Sequence, residues 1–279
     1  MSSGVERLWK NVQGYYGETI DIAAVTRDCL ATARALGWKI ETLRASSELE
    51  LLTLFRGSSG KVERPFRAYI SAGIHGDEPA GPLAVLQLLQ DNLWPVDLEL
   101  WVCPCLNPTG FALKRRENRD GLDLNRQYLE PTALETLAHM AWLKRQPGFD
   151  LSLCLHEDWE SHGFYLYELN PDNRPSLAEA IINRVADVCP VDPSEIIEGR
   201  PAHKGIIRPD VDPRSRPQWP EAFFLLNYKT RLSYTLEAPS DFPLPTRVSA
   251  LVAGVRAAIR SNQSVPQGLS ITKRQEPSA

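Results

Sequence analysis

The chain has 279 residues, with 31 Lys plus Arg against 35 Asp plus Glu, a formal net charge of -4. A phosphate backbone needs clustered positive charge, so this balance excludes a general polyanion binder and predicts no nucleic-acid partner. With 43% hydrophobic and 24% charged residues, the composition suits a soluble chain with a real core.

No apolar run reaches the length needed to span a bilayer, so no membrane contact is expected. The opening MSSGVERLWK carries charges where a signal peptide needs an apolar stretch. Five cysteines, odd in number and scattered, complete the expectation of a reduced, cytoplasmic protein.

In chain order, helical spacing covers 21–36 and Gly37 offers a stop. Short apolar runs at 38–44, 49–56 and 66–73 read as strands. The stretch RGSSGKVERP between the last two predicts a hairpin. A helix is expected from Pro79 to about Asn92, since proline suits a first helical turn. Strands follow at 98–104, 150–156, 164–169 and 231–238, and helices at 132–146, 176–188 and 246–260.

The segment 190–222, rich in proline and charge, reads as a long surface excursion, a feature that is functional or mobile more often than idle. Alternating strands and helices predict an α/β fold with a mixed, mostly parallel central sheet and helices on both faces. One domain is expected over 1–262, with a frayed polar tail at 263–279.

Four constellations could carry chemistry. In His75-Gly-Asp-Glu78, after the strand AYISAG, a His and a Glu three apart can aim at one point, and zinc accepts both donor types. The bland reading is an acidic helix N-terminus. His156 ends the strand DLSLCLH, where a third ligand would be needed; it also fits a buried His bonded to backbone. Cys154, two residues earlier, reads better as structural than as a fourth ligand, which would close the site.

The third is RENRDGLDLNR (116–126), preceded by Asn107-Pro-Thr-Gly110. It could grip an anion through Arg116, Arg119 and Arg126, or be a solvated charged loop. Glu237, at the end of a late strand, could serve as general base or be a rim charge. Cys103-Pro-Cys105 reads as strand packing. His139, His162 and His203 need no role.

Taken together and in this order, these motifs resemble the zinc metallocarboxypeptidase family of the carboxypeptidase A-like type. The match spans residues 75 to 237 and is closest to the compact murein peptide amidase and succinylglutamate desuccinylase-like branches. The resemblance implies one Zn²⁺ per chain on His75, Glu78 and His156. It implies Arg116 at the scissile carbonyl and Asn125 with Arg126 on the substrate carboxylate. Asp123 would hydrogen-bond His75, Asn118 would lie in the supporting layer, and Glu237 would be general base and acid.

It therefore implies a metallopeptidase that hydrolyses a peptide-like amide next to a free carboxylate. The alternatives are a deacylase of N-acyl amino acids, of the succinylglutamate desuccinylase/aspartoacylase type, and a binding protein that has lost activity. The substrate is expected to be a small peptide or an acyl amino acid. Tyr165, Tyr167, Tyr228 and Tyr234 are candidates to complete the site. Trp159 and the basic stretch Arg208 to Arg216 could shape specificity.

Overall fold

The protein is described by a computed structural model covering residues 7–9, 18–60, 62–209, 212 and 215–262; the expected tail at 263–279 lies outside the described residues. Asp21 caps the first helix, α1 (Ile22–Ala35), by accepting from the Ala24 N–H. Gly37, at φ +72°, ends it as expected. The strands β1 (Lys39–Arg44), β2 (Glu50–Arg56) and β3 (Phe66–Ala72) follow, then α2 (Ala80–Asp91), β4 (Leu98–Cys103) and α3 (Pro108–Leu113).

A one-turn 3-10 helix at Leu124–Arg126 precedes α4 (Leu134–Arg145), β5 (Leu151–Asp158), β6 (Tyr165–Leu169) and α5 (Ala178–Val185). The short strands β7 (Ile196–Ile197), β8 (Arg200–Pro201) and β9 (Ile206–Ile207) lead to α6 (Glu221–Tyr228), β10 (Ser233–Pro239) and α7 (Leu244–Asn262).

The main sheet runs β1-β2-β4-β3-β5-β10-β6-β9. It is mixed and mostly parallel: β4, β3, β5 and β10 are parallel neighbours, as are β6 and β9, while β1–β2, β2–β4 and β10–β6 are antiparallel. Helices cover both faces. One core packs α1, α2, α5 and α7 on the sheet through residues such as Val85, Ile181 and Val255. The other packs α4 and α6 through Trp142, Leu143 and Phe224. Strand β3 is buried at six of seven positions, the pattern of a strand covered on both faces.

The expected hairpin between 49–56 and 66–73 does not form. Strand β2 pairs instead with β1, across a turn closed by the Ala45 N–H on the Leu49 carbonyl, and β4 lies between β2 and β3. A strand as buried as β3 takes parallel partners on both edges, and parallel partners come through helical crossovers, not tight turns. The stretch 190–222 is also more built than expected. It forms the β7–β8 hairpin, adds β9 to the sheet edge and buries Ile197, Ile207 and Trp219.

Candidate active site

The site lies at the carboxyl ends of β3, β5 and β10, where functional groups of α/β sheets gather. After β3 the chain turns through Gly73, at φ +63°, a backbone state that favours glycine. Gly76 is needed for a different reason: a Cβ there would sit 2.0 Å from the Gly110 carbonyl carbon. This close approach lets α3 and the loop behind it press against the turn carrying His75 and Glu78.

Asn107 secures the contact. Its side chain accepts from the Gly110 N–H and donates to the carbonyls of Ile74 and Arg116. The charged stretch 116–126 is thus folded against the turn carrying His75 and Glu78 and is not a loose solvated loop.

His75, Glu78 and His156 are all buried, and their donor atoms lie within 4.8 Å of one another. Glu78 sits between the rings, with Oε1 2.5 Å from His75 Nδ1 and Oε2 3.0 Å from His156 Nδ1. Burial alone would raise this carboxyl, but the two imidazoles hold it well below the ordinary range. Burial lowers the His75 imidazole, and Glu78 and Asp123 more than reverse that, so it titrates above its usual value. A convergent His-Glu-His set offering one ligand atom from each residue fits a divalent cation, and three protein donors leave a position open. Cys154 lines the same cavity but is not part of the cluster.

Glu237 is the in-register neighbour of His156 across the parallel β5–β10 pair, and of Tyr165 across β6. Register, not sequence proximity, brings it into the site. Burial pushes its carboxyl up to about 8, with Glu78 and Asp158 adding to the push.

Asp123 turns one carboxylate toward both Arg116 and His75. Its Oδ2 accepts from Arg116 Nε at 2.9 Å, and its Oδ1 faces His75 Nε2 at 3.3 Å, long for a hydrogen bond. Arg116 also places Nη1 3.8 Å from Glu78. Asn125 accepts the Glu221 N–H through Oδ1, and Arg126 donates to the Asn125 carbonyl; both side chains line the cavity.

Asn118 does not line the cavity. It is fully buried, donates to Glu135 and accepts the N–H groups of Asp120 and Leu122, so it shapes the loop that presents Arg116 and Asp123.

The cavity has a volume of about 560 Å³, ample for a small peptide. Tyr165 and Tyr167 line it, and Tyr165 donates to Asp158. Tyr228 is exposed and Tyr234 bonds Glu168 and the Leu177 N–H inside the core, so neither faces the cavity. Trp159 and Arg216 are at the rim, whereas Arg208 is bound to Glu168 and Glu179 away from it.

His139 is a core residue between the hydroxyls of Tyr69 and Tyr128, and burial pushes its imidazole down to about 3. The five cysteines are free and buried.

Several site residues had not been anticipated. Asp77 and Asp158 line the cavity, and burial pushes each carboxyl up to about 6. Asp158 was legible in principle, two positions after His156 on the same strand face. Glu157 faces the other way. Its carboxylate accepts from the Ala80 N–H at 2.5 Å, Ser240 Oγ at 3.1 Å and Nη1 of fully buried Arg247.

Burial, with a smaller push from Glu78, raises the Glu157 carboxyl above its usual range, while Arg247 and the Ala80 N–H pull against that rise. This one group ties together the helix start after Glu78, the strand end carrying His156, and the segment following Glu237.

Comparison with known proteins bears on the fold. Residues 66–190 match the succinylglutamate desuccinylase/aspartoacylase catalytic domain. A candidate metallopeptidase from Shewanella denitrificans superposes with a TM-score of 0.73 at 25% identity, covering 88% of this chain and 96% of that one. The chain has a metallocarboxypeptidase-like fold. A metallo-carboxypeptidase from Pseudomonas aeruginosa, in complex with (2-guanidinoethylmercapto)succinic acid, superposes with a TM-score of 0.56 at 21% identity, covering 86% of this chain and 68% of that one.

In sequence, carboxypeptidase SOL1 of Arabidopsis thaliana is 34% identical over 119 residues, 35% of this chain and 24% of the relative. The match thus spans about a quarter of that curated protein. No described helix of this carboxypeptidase-like chain is long and apolar enough to cross a membrane.

Proposed function

We propose that the chain is a zinc-dependent hydrolase that cleaves a peptide-like amide beside a free carboxylate. The observation that carries this reading is the convergence of His75, Glu78 and His156 in one cavity with Glu237 and with Arg116, Asn125 and Arg126. His75 and His156, through Nδ1, and the Glu78 carboxylate would hold the ion. When bound, Zn²⁺ supplies a Lewis acid that lowers the pKa of water to about 7.

The protein's own groups do the rest. Asp123 keeps a proton on His75 Nε2 and so leaves Nδ1 free to ligate. Asn125 and Arg126 anchor the substrate carboxylate, which fixes the scissile carbonyl before Arg116. The guanidinium meets the negative charge that develops on the carbonyl oxygen. Glu237 takes a proton from the attacking water and delivers it to the leaving nitrogen, as the C–O bond forms and the C–N bond breaks.

The match to the desuccinylase/aspartoacylase domain favours a second reading, removal of an acyl group from a small amino acid, with the same residues in the same roles. We also read residues 1–262 as one catalytic domain, since the site draws on positions 75 to 237, and the free thiols as those of a cytoplasmic protein.

The test is a hydrolysis screen of zinc-loaded protein against C-terminally varied peptides, muropeptide fragments and N-acyl amino acids. Turnover of peptides supports the first reading and turnover only of N-acyl amino acids the second. Turnover of neither class refutes both.

A further inference from the structure

Asn125 meets the cavity on one side and a buried polar chain on the other. Its Oδ1 accepts the main-chain N–H of Glu221, the first residue of α6, at 2.9 Å. A backbone N–H can only donate, so this contact fixes which way the amide is turned. Nδ2 has no acceptor among the described residues, and Asn125 lines the cavity, so the amide is left to donate to a ligand.

The Glu221 side chain is buried and does not line the cavity. Its Oε1 accepts from Tyr69 Oη and its Oε2 from Ser71 Oγ, both at 2.8 Å. Tyr69 and Ser71 share one face of β3, the strand that leads to His75. With its proton given to Glu221, Tyr69 accepts at its 2.9 Å contact with His139 Nε2, and the imidazole donates. The neutral ring then accepts at Nδ1 from Tyr128 Oη, 2.8 Å away. Tyr128 gives its own N–H to the Trp219 carbonyl at 3.1 Å, two residues before Glu221.

These bonds close a circuit. It leaves the turn Leu124–Arg126 at Asn125, passes through Glu221, β3 and His139, and returns at Tyr128. Its links join segments far apart in the chain, 96 residues from Asn125 to Glu221 and 152 from Tyr69 to Glu221. Fully satisfied, such a buried network rigidifies what it joins.

We propose that Glu221 is the positioning residue of Asn125: anchored on Tyr69 and Ser71, it holds the asparagine amide with Nδ2 toward the cavity. Glu221 does not face the cavity, so its effect reaches the substrate through Asn125 and falls on recognition of the substrate carboxylate. This rests on the proposed hydrolase reading, which gives that carboxylate to Asn125 and Arg126.

The test uses the full zinc-loaded chain with N-acetyl-alanyl-alanine and, for the deacylase reading, N-acetyl-alanine; both carry a free carboxylate. In Glu221→Gln the amide NH₂ cannot accept from a hydroxyl, so one anchor is lost. KM should rise about fivefold or more while kcat stays within about threefold of wild type, the split expected when binding alone is weakened. Asn125→Ala should show the same split. In Glu221→Gln/Asn125→Ala the Glu221 change should cost nothing further, because the two residues act as one unit. Ser71→Ala, which deletes one anchor at less risk to folding, should raise KM by a smaller factor and show the same non-additivity.

A second readout needs no turnover. The side-chain NH₂ signals of Asn125 in ¹H–¹⁵N spectra are identified by their loss in Asn125→Ala. They should shift in Glu221→Gln and Ser71→Ala, while those of Asn118, buried against Glu135, stay in place. Additive losses in the double variant, a fall in kcat alone, or Asn125 signals that stay put or move only together with those of Asn118 overturns the positioning role. If no compound of the hydrolysis screen is cleaved but the Asn125 signals shift selectively, the hydrolase reading fails and the Glu221 brace stands.

Discussion

Glu157→Gln removes one charge from the junction behind the site and nearly preserves its shape. In the native protein Glu157 accepts from the Ala80 N–H, Ser240 Oγ and Arg247, and the Arg247 side chain has no exposed surface. The amide leaves the guanidinium its partly exposed partner Glu18, at Nη2, and turns an NH₂ toward donors. Removing one partner of a buried ion pair costs about 3–5 kcal/mol. That is a large part of the roughly 5–15 kcal/mol by which domains are stable.

Urea unfolding of metal-free protein should show this as a lower midpoint with an unchanged slope. Because Glu157 joins the segments carrying Glu78, His156 and Glu237, zinc affinity should also fall by at least tenfold, measured by chelator competition. The double variant Glu157→Leu/Arg247→Met, which removes both charges, should recover most of the stability, since apolar replacement of a buried pair is often neutral or better. A stability loss below about 1 kcal/mol for Glu157→Gln, against the range expected for a buried pair, would refute the role given to it.

Glu237→Gln should lower kcat by roughly 10²–10⁴-fold with KM little changed. Zinc binding at pH 7 should also release fewer protons than in the wild type. The raised Glu237 carboxyl, near 8, is largely protonated in the metal-free site and must give up its proton beside a cation. Calorimetry in buffers of different ionisation enthalpy reads that difference.

Arg116→Met should cost roughly 10²–10³-fold in kcat, the usual loss for one oxyanion donor. It should slow every substrate the protein cleaves by a similar factor.

His139 makes a prediction about acid stability. Burial depresses its folded value to about 3, so below the usual imidazole value of about 6.5 the unfolded chain binds a proton that the folded protein refuses. Stability is therefore lost as pH falls from 6.5 toward 3, by about 2 kcal/mol between pH 7 and 5. The variant His139→Gln should lose that much less than wild type across the same interval, measured by urea midpoints. An identical pH dependence in the two proteins would falsify the buried neutral assignment.

Much of the candidate site could be read from the chain as a set of positions. His75 and Glu78 are local, three residues apart at a strand-to-helix turn, and spacing alone suffices for such a pair. His156 and Glu237 could be placed at strand ends because apolar runs mark strands. Their adjacency could not, because register across β5 and β10 is set by tertiary pairing. The false hairpin of β2 and β3 has the same cause: an apolar run declares a strand without naming its partner.

Asn118 lies where its motif put it, but it braces the loop and does not face the cavity. Arg247 and Glu157 are 90 residues apart and gave no local signal. Arg216 belongs to the basic stretch expected to shape specificity, whereas Arg200 lay in the segment read as a surface excursion and carried no signal of its own.

The sequence by itself determined the alternation of elements, the candidate ligands and the absence of a polyanion-binding charge, because these follow from local spacing and composition. Only the tertiary structure decided which strands are neighbours and which of many charges are paired in the interior. Local preferences act over a few residues, whereas burial and electrostatic pairing are settled by contacts between segments that the chain keeps far apart.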